Sequence, residues 1–217
     1  MLVKEAKVIT GGGIVNGNGK MPGSTYATDP FRCNTGSKLR KVAGTSCSKC
    51  YSCKLASFRP SVAKGYSNRH EAMLEASKDA MVGLKWVQAM VFMIKRSGDT
   101  HFRWFDGGDI VSPKAFDLIA QVAFHTPEVQ HWLPTKEYKW FKEWIAQGGV
   151  VPKNLVVRVS TPKIDTKVTL KTTHTSTVSH KEAHIGHLCP ANGQGGTCGD
   201  CRACWDKEVA NVSYPLH

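Results

Sequence analysis

The sequence lacks any long apolar run, and no stretch approaches the roughly twenty apolar residues that a membrane-spanning helix needs. Its first ten residues alternate polar and apolar side chains, without the basic, then apolar, then small-residue order of a secretion signal. No internal repeat is evident, and the only biased tract is a threonine-rich stretch at 169–177. We therefore expect a protein that stays in the cytoplasm where it is made and has no membrane partner.

Acidic residues are scarce. The chain of 217 residues has 17 Asp and Glu against 29 Lys and Arg, which gives a formal charge of +12. This excess favours polyanionic partners, such as nucleic acid or nucleotides. The cations are scattered, however, and only Lys38, Arg40 and Lys41 form a tight group. Buried thiolate–metal sites also carry negative charge that Lys and Arg offset, so the composition leaves both explanations open.

A phosphate-binding loop is missing, although glycines crowd residues 1–30. Gly19-Lys20 is followed by Met21, and Ile14 occupies the place of the first glycine of that motif. We interpret this stretch, which includes Gly17, as a flexible or loop-rich lead.

Helical and strand patterns alternate along the middle of the chain. Helical spacing of apolar residues covers Ser67–Arg96, where Gly83 is expected to divide two helices, and further helices are expected from Ser112 to His125 and over Glu137–Gln147. The predicted strands are His101–Ile110, Val129–Leu133, Leu155–Ser160 and Thr175–Ser179. Such alternation predicts an α/β fold, either a partial (β/α) barrel or an open, mostly parallel sheet. We divide the chain into a lead at 1–30, an α/β body at 31–165 and a Cys-rich metal-binding extension at 166–217.

Cysteine is the most informative residue type. Each of two groups contains C-x2-C-x2-C and one more distant Cys, and together they use all eight cysteines: Cys33, Cys47, Cys50 and Cys53, then Cys189, Cys198, Cys201 and Cys204. In a reducing compartment clustered cysteines indicate metal ligands. Three thiolates within seven residues favour an iron–sulfur cluster, with 4Fe–4S as the expected type, over a zinc ion; plain buried thiols are the remaining alternative.

The number of ligands decides what each group can do. Four thiolates give a closed cluster suited to electron transfer or structure, which is our expectation for the C-terminal group. Three thiolates leave one iron open to a substrate or cofactor. The N-terminal group fits either case, because Cys53 can be a ligand or an ordinary core thiol.

Other polar residues follow the predicted strands, where function collects in parallel sheets. Asp106, Gly107, Gly108 and Asp109 form a turn that could hold a cationic ligand group or simply start a helix. Four histidines lie before Cys189: His174, His180, His184 and His187. The last three would share one face of a helix. They are either zinc or cluster ligands or surface residues on a connecting segment.

Several segments together resemble a known family: 20–39, AGTSCSKCY at 43–51, FRWFDGGDIVS at 102–112, 131–138, 154–160 and CPANGQGGTCGDCRACWD at 189–206. The chain resembles the phage-encoded gene product eighty-eight family, which is similar to radical S-adenosylmethionine proteins. The resemblance implies a partial (β/α) barrel with the first Cys loop at its mouth, and location in the host cytoplasm.

The same resemblance implies S-adenosylmethionine as a cofactor. Gly107-Gly108-Asp109 resembles the Gly-Gly-Glu turn that binds the methionyl amine in radical enzymes. The Cys run departs from the usual C-x3-C-x2-C. Relatives often lack the cysteine at position 53, which would leave Cys33, Cys47 and Cys50 as three ligands.

Three functions remain in competition at this point. The first is an iron–sulfur redox or radical enzyme of unknown substrate, which would draw on an electron donor such as a ferredoxin or flavodoxin. The second is a non-catalytic electron-transfer or redox-sensing cluster protein. The third is a zinc-stabilised nucleic-acid-binding protein.

Overall fold

The computed structural model describes residues 1–15, 19–167, 169 and 171–216; Gly17 of the predicted lead lies outside these ranges. Its centre is a seven-stranded sheet in which every neighbouring pair is parallel, in the order β1-β2-β3-β4-β5-β7-β6. The strands are β1 Ser24–Tyr26, β2 His101–Trp104, β3 Gln130–Thr135, β4 Leu155–Ser160, β5 Thr175–Ser179, β6 His187–Leu188 and β7 Asn211–Pro215. The predicted α/β class and its open parallel sheet are confirmed.

Seven helices accompany the sheet in the described ranges: α1 Val3–Ile9, α2 Asn34–Leu39, α3 Tyr51–Phe58, α4 Pro60–Lys78, α5 Ala80–Ser97, α6 Ala115–Phe124 and α7 Tyr138–Ala146. None of them is long and apolar enough to cross a membrane. From β1 to β5 each strand pairs with its neighbour in the chain. The carboxyl ends of all these strands therefore meet at one edge, where the loops that follow them come together.

The main core lies on one face of the sheet, between the strands and the long helices. Phe102 and Trp104 of β2 point into it, because alternate residues of a strand face the same side. Trp104 stacks on Trp86 of α5 with ring centroids 6.2 Å apart, and Tyr26 meets Trp86 edge-on at 5.6 Å. This aromatic cluster anchors β1 and β2 to the helical layer.

The helical stretch predicted over Ser67–Arg96 breaks at Asp79, and the expected division at Gly83 is wrong. The Asp79 carboxylate accepts hydrogen bonds from the amides of Met81 and Val82, and so caps the start of α5. Gly83 lies inside α5, where a Cβ would come within 2.8 Å of the Ala76 carbonyl oxygen. The glycine therefore allows α4 and α5 to approach closely.

The lead at 1–30 is more ordered than the glycine content indicates, since it contains α1 and the first strand of the sheet. The Tyr26 hydroxyl lies 2.9 Å from the carbonyl oxygens of Thr10 and Arg69, which ties the lead to α4. A Cβ on Gly11 would lie 2.3 Å from the Asn68 carbonyl oxygen. This glycine thus serves close packing, not flexibility.

The stretch predicted as an extension, 166–217, supplies β5, β6 and β7 to the same sheet as the body. Its Cys-rich part also covers the sheet face opposite the main core. There Trp205 is buried against Trp132 and His101, and its indole N–H donates to the Phe102 carbonyl. The division at residue 165 stays a prediction about domains, but the sheet runs across it.

Candidate metal centre

The N-terminal cysteines lie in the loop and helices that follow β1. Cys33 directly precedes α2, Cys50 directly precedes α3, and Cys53 lies in the first turn of α3. A Cβ added at Gly36 would lie 3.6 Å from the Cys33 sulfur and 3.7 Å from the Cys47 sulfur. The two sulfurs therefore border one small space, which the absence of a side chain at Gly36 keeps open.

Electrostatics place all four of these thiols in one group. Burial raises the pKa of Cys33 far above its usual range, and Asp109, Cys50, Cys47 and Cys53 raise it further. Burial also raises the pKa of Cys53 to about 12, with Cys50 as the next cause. Neighbouring thiolates repel one another. The four thiols therefore lose their protons together only when a cation binds among them.

Two cations border the same group. Burial raises the pKa of Cys47, and Lys136 and Arg40 oppose that rise. Arg40 packs over the Phe31 ring at 5.3 Å and donates to the Pro30 carbonyl oxygen at 2.7 Å. These positive charges are placed to stabilise an anionic centre.

Glu137 holds the Cys33 loop in place. It is buried, and its carboxylate accepts hydrogen bonds from the Thr35 amide at 2.6 Å, the Thr35 hydroxyl at 2.8 Å and the Asn34 side-chain amide at 3.0 Å. These groups belong to the first turn of α2, immediately after Cys33. The sequence places Glu137 at the start of a predicted helix, but its partners lie about a hundred residues away and have no local signal.

The Gly107-Gly108-Asp109 turn follows β2 and lies beside the N-terminal cysteines. A Cβ on Gly108, whose φ is +80°, would lie 2.3 Å from the Thr28 hydroxyl oxygen. A Cβ on Gly107 would lie 3.2 Å from the hydroxyl oxygen of Ser52 in α3. The glycines thus permit this turn to pack between the segment after β1 and α3.

The Asp109 carboxylate makes its hydrogen bonds to neighbouring groups of the protein itself. It accepts hydrogen bonds from the Thr135 hydroxyl at 2.7 Å, the Lys136 amide at 2.9 Å and the Ile110 amide at 2.7 Å. Burial raises the pKa of Asp109 to about 6, although the hydrogen bonds from Lys136 and Thr135 oppose the rise. Its geometry is that of a positioning residue, which joins the ends of β2 and β3.

Asp106 presents a freer carboxylate in the same turn. Its Oδ1 atom is buried and has no hydrogen-bond partner among the described residues. Burial raises the pKa of the nearby Tyr66 to about 12, and the charge of Asp106 is the next cause. Ser52, which lies beside Cys53, donates to the Asp106 carbonyl oxygen at 3.3 Å. The unpartnered oxygen therefore lies close to the N-terminal cysteines.

The C-terminal cysteines lie in turns that cross the other face of the sheet. The Cys189 amide donates to the Ser213 carbonyl of β7 at 2.8 Å, and the Cys198 amide donates to the Lys20 carbonyl at 2.7 Å. Burial raises the pKa of Cys189 and of Cys198, and each of the two has Cys201 among the further causes. Burial also raises the pKa of Cys204 to about 12, with Cys189 among the further causes. The four thiols therefore form a second group.

Arg158 fixes the backbone of this second group. Its side chain is fully buried and donates to five carbonyl oxygens, those of Ala203, Cys204, Asp206, Val209 and Thr175. Arg158 therefore holds the loop after Cys204 against β4.

The histidines before Cys189 do not share a helical face, and that prediction is wrong. The segment forms a short 3-10 turn over Lys181–Ala183 and then β6. His180 pairs with Asp165, and the Nε2 atom of His174 lies 2.9 Å from the Lys207 carbonyl oxygen. His187 is placed at the cysteines, with Nε2 3.4 Å from the Cys201 sulfur.

No group of three or more His, Cys, Asp or Glu side chains in the described ranges converges as the ligands of a single metal ion do. In a four-thiolate zinc site, bonds of about 2.3 Å bring the sulfurs within about 4 Å of one another. In an iron–sulfur cubane each thiolate binds a different iron, so the sulfurs stand further apart. The donor set consists of thiols in two groups of four, the ligand type that iron–sulfur clusters and zinc ions share.

Comparison with known proteins gives one match. The family model described as Gene product 88 matches residues 5–207. No curated protein and no solved structure matches the chain. The chain therefore belongs to the Gene product 88 family of phage gene products, as its motifs indicate, while the similarity to radical S-adenosylmethionine proteins stays a prediction.

Proposed function

We propose that this member of the Gene product 88 family binds two iron–sulfur clusters, one at each cysteine group, and that the N-terminal cluster performs radical-enzyme-like redox chemistry. The observation that carries the proposal is the gathering of all eight cysteines into two groups of four, each bordered by buried or half-buried cations. Such groups are unstable as eight free thiolates and become favourable when metal neutralises them.

The expected cluster type is 4Fe–4S at both sites. At the N-terminal site Cys33, Cys47 and Cys50 would be ligands, with Cys53 behind them, and at the C-terminal site all four cysteines would be. When bound with three thiolates, a cluster supplies one electron and an open coordination position to a cofactor. The closed C-terminal site is suited to passing electrons, which a ferredoxin or flavodoxin would deliver.

Strand order supports a radical-enzyme-like arrangement. The first Cys loop follows β1, the Gly-Gly-Asp turn follows β2, and these strands are parallel neighbours, so both features stand at one edge of the sheet. An S-adenosylmethionine molecule bound there would have its amine near this turn. The unpartnered Oδ1 of Asp106 is the better acceptor for that amine, because the Asp109 carboxylate already accepts three hydrogen bonds.

The substrate is open. The net charge of +12 favours an anionic substrate, and we propose a nucleotide or nucleic acid as the class to test first.

Anaerobic reconstitution with iron and sulfide tests the cluster proposal. We expect a brown protein with about eight irons per chain, from two four-iron clusters. Cys33→Ala and Cys189→Ala should each retain about half of the iron, and the double variant should retain none. A colourless protein that copurifies with zinc would contradict the proposal.

A second experiment tests cofactor binding. Addition of S-adenosylmethionine to the reduced protein should change its electron paramagnetic resonance spectrum, and Asp106→Asn should abolish the change while iron content stays normal. Asp109→Asn serves as the comparison and should keep the change, because the Asp109 carboxylate already accepts three hydrogen bonds. A wild-type spectrum that is unchanged, with no cleavage of the cofactor, would contradict radical chemistry and leave the cluster proposal standing.

A further inference from the structure

A buried cation that makes no direct ion pair among the described residues faces the C-terminal cysteine group. Arg103 of β2 points away from the main core, between the sheet and the Cys-rich turns, and its guanidinium stacks over Trp132 at 4.6 Å. One of its terminal nitrogens lies 3.3 Å from the Met21 sulfur, and its Nε is buried without a hydrogen-bond partner in the described part of the chain. No ion pair of Arg103 occurs among the described residues.

A buried guanidinium in this state is unfavourable unless an anion faces it. Asp106 lies in its neighbourhood but makes no ion pair with it. Burial lowers the pKa of Arg103, but Tyr51, Asp106, Tyr214 and Cys204 raise it above its ordinary value. Met21, which the guanidinium contacts, follows Lys20, whose carbonyl oxygen accepts a hydrogen bond from the Cys198 amide at 2.7 Å. Trp132, beneath the guanidinium, stacks on Tyr214, whose hydroxyl lies 3.2 Å from the Cys204 sulfur. The thiolates of this group are therefore among the anions that the guanidinium faces.

We propose that Arg103 is the counter-charge of the C-terminal cluster and raises its reduction potential. The inference rests on the proposed function, because it needs a cluster at this site. A cluster held by four thiolates is anionic, and reduction adds a further negative charge. A cation in a low-dielectric position stabilises the reduced state more than the oxidised one, so its loss lowers the potential.

Arg202 provides a matched comparison within the same Cys motif. It also opposes the rise in the Cys198 pKa and is half-buried, but its guanidinium donates to the Gly199 and Cys201 carbonyl oxygens at 2.7 and 2.9 Å. Solvent screens a partly exposed charge more than a buried one. Removal of Arg202 should therefore change the potential much less than removal of Arg103.

The experiment is a redox titration followed by electron paramagnetic resonance, in the full-length Cys33→Ala background so that the signal comes from the C-terminal cluster. We expect Arg103→Met to lower the reduced-to-oxidised ratio at fixed potential about tenfold, a shift of about 59 mV for one electron. Arg103→Lys should restore most of the ratio, and Arg202→Met should change it less than threefold.

Iron and sulfide contents separate the two proposals. A background protein without cluster iron would overturn the proposed function and the inference with it. Normal iron content with unchanged potential in Arg103→Met would overturn the inference alone. If Arg103→Met loses its iron, the reduction potentials of Arg103→Gln and Arg103→Lys are compared instead. A difference between the two potentials supports the inference, and equal, unshifted potentials overturn it.

Discussion

Cys53 decides whether the N-terminal centre is open. It is buried in α3 and interacts most with Cys50, whereas the sulfurs of Cys33 and Cys47 border the space beside Gly36. In the proposed three-ligand centre Cys53 stands behind Cys33, Cys47 and Cys50. We expect Cys53→Ala to retain nearly all N-terminal iron and Cys50→Ala to lose it, as measured by iron analysis of reconstituted protein. Equal losses in the two variants would make Cys53 a ligand and the centre closed.

Asp109 links stability to pH. Its pKa is about 6 in the folded protein against an ordinary 3.8, so the folded state holds the proton more tightly than the unfolded state does. This contribution to stability is fully present below about pH 4 and is lost as the pH rises through about 6.

We expect Asp109→Asn to remove that slope between pH 4 and 6, as measured by urea unfolding of the metal-free protein. At pH 7 the variant should lose about 1–3 kcal/mol, because an amide cannot accept all three hydrogen bonds. A slope equal to that of the wild type would contradict the assignment.

Among single residues, the cysteines could be predicted from the sequence, but the residues that position the cysteines could not. The spacing of eight cysteines singles them out without any knowledge of the fold. Glu137, Arg158 and Arg103 act through partners that lie far away in the sequence, so no local pattern distinguishes them from surface charges. Asp106 differs, since the turn that contains it could be predicted, but only the structure shows that its buried Oδ1 atom has no hydrogen-bond partner among the described residues.

At the scale of elements, α2 depends on a glycine at its centre. A Cβ on Gly36 would lie 2.9 Å from the Cys33 Cβ and would fill the space beside two sulfurs. We expect Gly36→Ala to reduce N-terminal iron content severalfold in reconstituted protein.

Gly65→Ala is the control for helix propensity. Gly65 is also helical, and its Cβ would meet only the flexible end of Arg69 at 3.4 Å. This variant should keep its iron, and its stability should change by less than about 1 kcal/mol. Full iron in both variants would show that the space beside Gly36 is not needed.

The elements with strong periodicity were predictable, and the short ones were not. Strands β4 and β5 match their predicted bounds because β-branched and hydroxyl residues mark them. Strand β1 is three residues long and sits among glycines, so it has no pattern of its own; pairing with β2 creates it. The break between α4 and α5 occurs at Asp79, because its carboxylate caps the start of α5. This cap is a stronger signal for a helix start than Gly83, where we expected the division.

At the scale of the molecule, Arg158 joins the Cys-rich turns to the sheet. Its loss would leave buried carbonyl oxygens without donors, so we expect Arg158→Met to lower the free energy of unfolding by about 3 kcal/mol or more. Limited proteolysis should then cut the variant first within 189–209. Lys207→Met is the control, because Lys207 donates to the Pro152 carbonyl at the surface, and its loss should change stability by less than about 0.5 kcal/mol.

The order of the last strands also affects when the protein can mature. Strand β7 comes after β6 in the chain but lies between β5 and β6, and the cysteines from Cys189 to Cys204 belong to the connection between them. During synthesis, β6 has no partner until residues 211–215 have left the ribosome. The second group of thiols is therefore assembled after translation of this segment, and a cofactor that binds there would enter only once the sheet is complete.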